Sequence, residues 1–524
     1  MEEGKDHESC KSTEEDENGS SKREGLVGCD IKAPVDWFKM LSRKTHWTAV
    51  VAVVVVYGLN QGLGGALARV GTEYYMKDVQ KVQPSESQAY LGITRIPWII
   101  KPIWGFLTDV VPVFGYRRRP YFVLAVLLNK IKFSCIRGIL GIISMFYLSF
   151  HEKLHIVLAL LSLTIGSAGV AIADVTVDAC VAQHSGIHPS LAPDMQSLCA
   201  LSSSIGALIG FSLSGVFVHL IGPKGVYGLL SIPYALVLLV GLVLKEPHSP
   251  SFAYGQITEK FVDAATAMWT TLKSEDVWRP CLYMYLLFAL SLDIYEGLFY
   301  WETDSKAGPS FSQDTIGFIL SIGSIGSLLG AILYQYTLKD HPFRALLFWT
   351  QLIFGLSGML DLVFILRLNL KLGIPDYFFA VIDESVFQLI GRLKWMPLLV
   401  LSSQLCPPGI EGTFFALLMS IDNFGRMSST WLGGLLLHVL NVARTQFDNL
   451  WLAILIRNIL RITPLCFLFL VPKNGPDSLG FSRMEVLNIV EDSESSIEVS
   501  TVLENSELLK SEEVELTPLV SSVG

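Results

Sequence analysis

Residues 96–121 read IPWIIKPIWGFLTDVVPVFGYRRRPY. One apolar run in this stretch reaches Asp109, and a second begins at Tyr121, after a basic triplet at 117–119. Apolar runs of about 20 residues are long enough to cross the hydrocarbon core of a bilayer as helices. Basic residues accumulate in the cytoplasmic loops of membrane proteins. The stretch is therefore typical of two membrane-spanning helices joined by a short cytoplasmic loop.

The whole chain has the composition of a membrane protein. Of its 524 residues, 51% are hydrophobic and 17% are charged, and the mean hydropathy is +0.47. A soluble protein carries about 25% charged residues. A disordered chain, a collagen and a nucleic-acid-binding protein are therefore disfavoured for the chain as a whole. The eight cysteines show no CxxC spacing, which is typical of free thiols and not of a disulfide framework.

Apolar segments long enough to span a bilayer recur twelve times along the chain. We name them spans 1 to 12, and they are predicted at 47–67, 87–110, 120–149, 155–182, 195–221, 226–244, 279–300, 311–337, 343–367, 376–405, 411–440 and 446–471. This pattern predicts an all-α, polytopic membrane protein. The long connection from Lys245 to Trp278 divides it into two bundles of six helices, which we call the N-terminal half and the C-terminal half.

Acidic residues concentrate at the two ends of the chain. Residues 1–30 carry a net charge of −6 and residues 474–524 carry −9, which leaves +6 for residues 31–473. Since the basic loops are expected inside and the number of spans is even, both ends are predicted to be cytoplasmic. The predicted domains are a disordered acidic tail (1–40), a six-helix bundle (41–244), a cytoplasmic linker (245–277), a second bundle (278–472) and a second acidic tail (473–524).

An internal repeat supports the division into two halves. Four positions with the same residue types recur with identical offsets of 8, 9 and 4 in the fifth span of each half. Transporters are commonly built from such repeats, with the substrate site between them. The matching positions are Leu198, Gly206, Gly215 and His219 in span 5, and Leu417, Gly425, Gly434 and His438 in span 11.

The loop between spans 2 and 3 carries a superfamily signature. Gly105 and Asp109, followed by Gly115 and the arginine triplet, resemble the G-x-x-x-D…G-(x)-R-R pattern of the major facilitator superfamily. With ADVTVDACVAQ (173–183), GRLKWMPLLVLSSQLCPPG (391–409) and EGTFFALLMSIDNFG (411–425), the chain from about residue 40 to 471 resembles the plant-type folate-biopterin transporter family. The resemblance implies the major facilitator fold, a cavity lined by spans 1, 4, 7 and 10, and proton-coupled transport of folates or related pterins.

Those four spans concentrate polar and charged side chains. A charge at mid-bilayer costs about 2.5–3.5 kcal/mol on the insertion scale, so each one needs a partner or a function. Span 6, by contrast, carries no charge. The side chains are Asn60 and Gln61 in span 1, Asp174 and Asp178 in span 4, Asp293 and Glu296 in span 7, and Asp383, Glu384, Arg392 and Lys394 in span 10.

A folate joins a pterin ring to a glutamate with two carboxylates, so its site requires cations and a surface for the ring. Lys101 in span 2, with Arg392 and Lys394, is predicted to bind the carboxylates, because Arg offers a bidentate fork and Lys a point charge. Asn60 and Gln61 are further substrate-binding candidates. Ring contact or, alternatively, interfacial anchoring and packing is predicted for Trp98, Trp104 and Trp395.

Two carboxylates in span 4 are the first candidates for proton coupling. Asp174 and Asp178 are four residues apart and share one helical face. Ionisation of both is disfavoured in a low-dielectric cavity, which suits a group that loads and releases protons. Asp293 and Glu296 are further candidates. The alternative for Asp174 is a structural ion pair with Lys101, which is predicted to lie at a similar depth.

Charged residues at the inner ends of spans 2 and 3 suggest a gate. We predict that Asp109, Arg117, Arg118 and Arg119 form a charge latch that favours the outward-open or the inward-open state. The alternative is that the arginines only determine topology. A structural pair is the interpretation for Asp422 and Arg426, four residues apart in span 11.

Enzymatic and metal-binding functions are not predicted. Residues 151–155, HEKLH, match the H-E-x-x-H zinc pattern, but they fall in a short predicted outer loop with no apparent third ligand. No G-x-x-x-x-G-K-[ST] motif supports ATP-driven pumping. We predict no cofactor and no metal. The predicted partners are a small-molecule substrate, protons and the lipid bilayer.

Span 3 is irregular. Its 30 residues would form a helix about 45 Å long, which exceeds a hydrocarbon core of about 30 Å. It also contains Lys130, Lys132 and Arg137. Removal of residues 126–137 leaves an uncharged span of 18 residues. We therefore interpret 126–137 as an unspliced or alternatively spliced insertion, or as a gene-model error.

Alternative functions follow from these observations. The chain could be a carrier of another organic anion with the same fold, an inactive splice isoform, or a non-transporting receptor or scaffold. The polar and charged side chains within spans 1, 4, 7 and 10 disfavour the last of these. The first thirty residues have no apolar segment and are too acidic for a transit peptide, so a plasma membrane or endomembrane is predicted over a plastid.

Overall fold

The computed structural model describes residues 32–110, 140–151, 154–187, 192–244, 257–338, 341–405 and 411–471. Nearly all of these residues are helical, and the one β-type contact among them is an isolated bridge between Ala443 and Gln446. The predicted all-α class is therefore confirmed. The arginine triplet 117–119 and the irregular segment 126–137 lie outside the described residues.

The N-terminal half begins with the helix Lys32–Thr45, which precedes span 1. Span 1 is continuous but contains a widened π-helical segment, Val54–Gly64, which includes Asn60 and Gln61. The helices of this half are Trp47–Val79 (span 1), Pro84–Thr94, Ile96–Ile99 and Lys101–Val110 (span 2), Leu140–Phe150 (the described part of span 3), Ile156–Ile187 (span 4) and Ala192–Val243 (spans 5 and 6).

The C-terminal half follows a linker helix, Ile257–Lys273. Its helices are Glu275–Ala289 and Tyr295–Glu302 (span 7), Gln313–Leu338 (span 8), Phe343–Ser357 and Met359–Ile365 (span 9), Leu368–Lys371 (a short connection), Asp376–Gln404 (span 10), Glu411–Val439 (span 11), and Leu450–Ile462 with Thr463–Leu470 (span 12).

Six helical stretches within the described ranges are long and apolar enough to cross a membrane. They are Trp47–Val79, Ile156–Asp178, Ser197–Val243, Gln313–Leu338, Phe343–Ile365 and Leu450–Leu470. Spans 2 and 7 are interrupted helices, so neither one forms a single long rod. The full count of twelve spans stays a prediction.

Spans 5 and 6 meet at Gly222. This glycine has a φ of +73°, a backbone conformation that side chains disfavour, and Pro223 follows it. The chain therefore turns at this point, between the predicted ends of the two spans. Span 5 packs closely on span 1, because a Cβ at Gly206 would lie 2.0 Å from the carbonyl oxygen of Gly58.

Span 7 is broken at residues 290–294, between its two helices. The break packs on span 11, where a Cβ at Gly433 would lie 1.7 Å from the carbonyl oxygen of Asp293. The Asp293 carboxylate accepts a hydrogen bond from the backbone N–H of Tyr295, the first residue of the second helix, at 3.1 Å. Ser429 of span 11 donates to the carbonyl oxygen of Ser291 at 3.2 Å.

The two halves meet along spans 5 and 8. A Cβ at Gly215 would lie 2.3 Å from the carbonyl oxygen of Gln313, and one at Gly317 would lie 2.7 Å from the backbone nitrogen of Gly215. Small residues let the two backbones approach this closely. About one helical turn from this crossing, the hydroxyls of Ser212 and Ser321 are hydrogen-bonded at 2.6 Å.

Candidate functional site

A cavity of about 1000 Å³ lies between the two halves. All four of the spans expected to line it do so, and residues of spans 2, 3, 6, 8, 9, 11 and 12 join them. Six of the predicted substrate or proton residues face this cavity. They are Asn60 and Gln61, Asp293 and Glu296, and Arg392 and Lys394.

Lys101, Asp174 and Asp178 do not line the cavity. Lys101 is 8% exposed and Asp174 is 4% exposed, and the two form a short ion pair. The Lys101 Nζ atom also lies 3.9 Å from the Asp178 carboxylate. Tyr57 of span 1 donates a hydrogen bond to Asp178. The geometry is that of the structural ion pair which we weighed as the alternative, and a transport role for these carboxylates stays a prediction.

The ion-pair network borders the cavity through two side chains. Gln61 Nε2 donates to the Asp174 carboxylate at 2.5 Å, and Gln61 itself faces the cavity. The Lys101 ammonium lies 5.3 Å from the ring centroid of Trp98, which also faces the cavity. A change of protonation at Asp174 therefore acts directly on Gln61, a residue of the cavity wall.

The three tryptophans differ in position. Trp98 and Trp395 line the cavity, and Trp98 Nε1 donates to the hydroxyl of Ser167 at 3.1 Å. Trp104 is not among the lining residues, and its Nε1 donates to the carbonyl oxygen of Pro97 at 3.1 Å. Ring contact with a ligand is therefore geometrically open to Trp98 and Trp395 only.

Four cations of the C-terminal half form what we call the basic cluster: Arg392, Lys394, Arg426 and Arg461. All four line the cavity, and none forms an ion pair within the described ranges. Arg392 donates to the hydroxyl of Ser327 at 3.0 Å, and Lys394 to that of Ser291 at 3.3 Å. Removing cations from water without a counter-charge is costly, so the cluster suits an anionic ligand.

Aromatic rings hold the basic cluster in position. Lys394 and Arg461 lie 4.1 Å and 4.6 Å from the ring centroid of Phe354. Arg426 lies 4.1 Å from that of Phe288. Cation–π contacts of this kind stabilise a charge without consuming its hydrogen-bond donors. The Nε and Nη1 atoms of Arg461 are indeed buried without a hydrogen-bond partner in the described part of the chain.

Two members of the basic cluster were missed by sequence reasoning. Arg461 lies within predicted span 12, where an arginine at mid-span is itself a signal for function. Arg426 is predicted above as the structural partner of Asp422. The two groups interact electrostatically, but no ion pair joins them within the described ranges. Both Asp422 carboxylate oxygens are buried without a hydrogen-bond partner among the described residues, and the Arg426 guanidinium lies over Phe288.

Glu296 lies where the two halves touch. It is 0% exposed, and its carboxylate accepts a hydrogen bond from Ser87 of span 2 at 2.7 Å. Its backbone N–H donates to Gln88 of the same span at 3.0 Å. The second carboxylate oxygen of Glu296 has no partner among the described residues.

Further hydrogen bonds join the halves on the same side, which the topology predicts to be the outer side. Lys77 donates to the hydroxyl of Thr303, and Arg444 donates to the carbonyl oxygens of Lys77 and Val82. Tyr300 also donates to the carbonyl oxygen of Val82, at 3.2 Å. We call this set, with the Glu296 contacts, the outer interface.

The predicted inner latch has no described side chains. The second-span helix that carries Asp109 ends at Val110, but the Asp109 side chain lies outside the description. Arg117, Arg118 and Arg119 lie outside it as well. The latch stays a prediction.

Comparison with known proteins shows the family to which this chain belongs. The model of the BT1 family matches residues 61–480. The chain belongs to the BT1 family. Among its BT1-type relatives, a probable folate-biopterin transporter 2 of Arabidopsis thaliana is 64% identical over 466 residues, with 88% of this chain and 91% of the relative covered. The folate-biopterin transporter of Synechocystis sp. (strain ATCC 27184 / PCC 6803 / Kazusa) is 31% identical, with 83% and 84% covered.

The fold of this BT1 chain is also that of solved transporters. The crystal structure of a D-xylose-proton symporter superposes with a TM-score of 0.58 at 14% identity, covering 83% of this chain and 99% of that one. The predicted folate-biopterin transporter family and the major facilitator fold are thus confirmed. The chain is an integral membrane protein of a family of transporters.

Proposed function

We propose that this chain is a secondary carrier that moves folates and related pterins across a membrane by alternating access, coupled to protons. The observation that supports it most directly is the basic cluster. Four cations without an ion-pair partner in the described ranges face a cavity between the two halves of a BT1-family chain. Relatives of the chain bear the name folate-biopterin transporter.

The basic cluster matches the anionic end of a folate. Two carboxylates on a glutamate can engage the forks of Arg426 and Arg461 and the point charge of Lys394. Trp98 and Trp395 offer flat surfaces for an aromatic ring. Lys101 was predicted to bind the same carboxylates, but its ammonium is already engaged by Asp174, so we assign it a positioning role instead.

Proton coupling is proposed for Asp293 and Glu296 at the cavity, and for Asp174 and Asp178 beside it. Glu296 supports this role because it is buried, forms no ion pair among the described residues, and bonds to the opposite half. Protonation and deprotonation there would alter the outer interface directly. Asp174 is linked to the cavity through Gln61.

Alternating access requires the outer interface to open. The contacts of Lys77, Arg444 and Tyr300 across the halves would have to break in that step. The proposed counterpart on the inner side is the latch of Asp109 with Arg117, Arg118 and Arg119. The proposed topology has both acidic tails and the linker in the cytoplasm.

Uptake of labelled folate into vesicles that contain the purified chain tests the proposal. We expect accumulation that depends on an inward proton gradient and that Arg461→Gln reduces at least about tenfold, the effect of losing one charged hydrogen bond. Arg279→Gln is the matched control, because Arg279 is half-exposed and its one ion pair within the described ranges is with Glu275, at the end of span 7. The proposal would be overturned if neither the full chain nor a chain that lacks residues 126–137 took up any pterin.

A carrier of another organic anion is the second candidate. The basic cluster itself favours it, because cations recognise carboxylates irrespective of the group that bears them. Competition separates the candidates: dicarboxylates without a ring should inhibit folate uptake weakly if the pterin is recognised. Equal inhibition by such dicarboxylates would favour the broader carrier.

A further inference from the structure

The cavity carries a second charged region, opposite in sign to the basic cluster. This region consists of four carboxylates that line the cavity: Glu73 of span 1, Glu302 of span 7, and Asp383 and Glu384 of span 10. We call this set the acidic end. Glu302 interacts electrostatically with Glu384 and Glu73, so the carboxylates of three helices lie within range of one another.

The acidic end has unused hydrogen-bond acceptors. Glu73 is 2% exposed, and one of its oxygens pairs with Arg69 at 3.0 Å, but the other oxygen has no partner in the described part of the chain. The side chains of Glu302 and Asp383 make no described hydrogen bond or ion pair, and Glu384 accepts only from Gln388, at 2.7 Å. Of these acceptors, the oxygen of Glu73 is fully buried, whereas the carboxylates of Glu302, Asp383 and Glu384 are half-buried and open to the cavity. This end therefore offers free acceptors to a ligand that brings N–H groups.

The protein's own cations do not cancel the acidic end. Arg69 is committed to Glu73 and lies 4.6 Å from the ring centroid of Tyr295. Arg457 is paired with Asp361, another carboxylate that lines the cavity, and it also interacts electrostatically with Asp383. Each of these two arginines is therefore already bonded to one carboxylate, and the acidic end keeps an excess of carboxylates.

The two charged regions lie at different depths of one cavity. Glu384 and Lys394 are ten residues apart on the same helix, Asp376–Gln404, which corresponds to about 15 Å along its axis. A ligand that satisfies both regions must be elongated. It must present N–H donors at one end and carboxylates at the other.

We propose that a folate lies lengthwise in this cavity, with the 2-amino and N3–H edge of its pterin on the acidic end and its glutamate on the basic cluster. That edge presents two parallel N–H donors, the same fork by which an arginine binds a carboxylate bidentately. The opposite orientation would bring ligand carboxylates against four protein carboxylates. This inference rests on the proposed function and adds the orientation of the substrate and the residues that recognise the ring.

Two fragments of folate test the orientation. Biopterin carries the ring without the glutamate, and p-aminobenzoylglutamate carries the glutamate without the ring. Each is used to displace labelled folate from the purified full-length chain. In Glu384→Gln and, separately, Glu302→Gln, the half-displacing concentration of biopterin should rise about tenfold or more, because a charged acceptor is lost. That of p-aminobenzoylglutamate should change less than about twofold.

Arg461→Gln should give the reverse pattern, with p-aminobenzoylglutamate weakened and biopterin retained. The matched controls are Glu275→Gln and Arg279→Gln, which remove an exposed ion pair away from the cavity. Retained binding of the unaffected fragment shows that each variant is folded. Equal weakening of both fragments, or weakening of p-aminobenzoylglutamate by the acidic-end variants, overturns the orientation. A wild-type chain that binds no folate overturns the proposed function instead.

Discussion

Lys101 and Asp174 form an ion pair in which both side chains are less than a tenth exposed. The pair joins span 2 to span 4 within the N-terminal half, and it is flanked by Asp178 and by the Trp98 ring. A buried pair of this kind contributes little when complete, but the loss of one partner leaves an uncompensated charge.

Lys101→Met should therefore destabilise the protein by about 3–5 kcal/mol. The double variant Lys101→Met/Asp174→Asn should recover a large part of that loss, since the buried Asp174 carboxylate is removed with its partner and the remaining Asp178 side chain is 42% exposed. Thermal unfolding of the purified chain in detergent measures both effects. A double variant no more stable than Lys101→Met would show that Asp174 is not the partner that matters.

Asp174→Asn removes the carboxylate without changing the shape of the side chain. If Asp174 takes part in proton coupling, pH-driven accumulation of folate in vesicles should be abolished, while folate binding at equilibrium is retained. Gln61 contacts Asp174 at the cavity wall, so Gln61→Ala should weaken the response to the gradient as well. Unchanged accumulation in Asp174→Asn would reject the assignment.

Gly433→Ala tests the close contact between spans 7 and 11. The added Cβ would meet the carbonyl oxygen of Asp293 at 1.7 Å, so the broken segment must move. We expect a loss of at least about 1–3 kcal/mol of stability, the usual cost of overpacking. Gly65→Ala is the matched control, because a Cβ at that helical glycine meets nothing within 4 Å. Similar melting temperatures for the two variants would contradict the expected strain.

Arg444→Gln tests the outer interface. It removes the hydrogen bonds to the carbonyl oxygens of Lys77 and Val82, so the outer-open population should increase. Ser85→Cys, at a buried position near the interface, reports opening through labelling with a membrane-impermeant maleimide. Labelling should rise about threefold or more over the Ser85→Cys background.

Arg367→Gln is the control for that experiment. It breaks an ion pair with Asp376 that lies wholly within the C-terminal half. Labelling should stay at the background level in this variant. A rise equal to that of Arg444→Gln would mean that loss of any nearby charge, and not the contact between halves, exposes Ser85.

The sequence predicts the helical architecture well because hydropathy and charge act locally. Apolar runs must become helices in a bilayer, since every backbone polar group needs an internal partner there. The depth of Lys101 and Asp174 could also be counted along their spans, and this made their pairing a stated alternative. A polar group in an apolar span is conspicuous in the same way, and this is why the sequence singles out Asn60, Gln61, Glu296, Arg392 and Lys394, which line the cavity. Their roles stay predictions.

The break in span 7 could not be read from the sequence. Residues 290–294 contain neither glycine nor proline, and the break depends on contacts with Gly433 and Ser429, which lie far away in the chain. The position of Arg426 depends in the same way on the ring of Phe288. Such features arise from tertiary packing, which local sequence patterns do not predict.

The crossing of Gly215 and Gly317 has a mechanical consequence. Backbone meets backbone there, so no side chain has to be withdrawn when one half rocks against the other. The polar contacts around the crossing then provide the resistance to rocking. In the proposed alternating-access cycle the glycine pair serves as the pivot, and a bulky residue at either position would block the rocking of the halves even with an intact binding cavity.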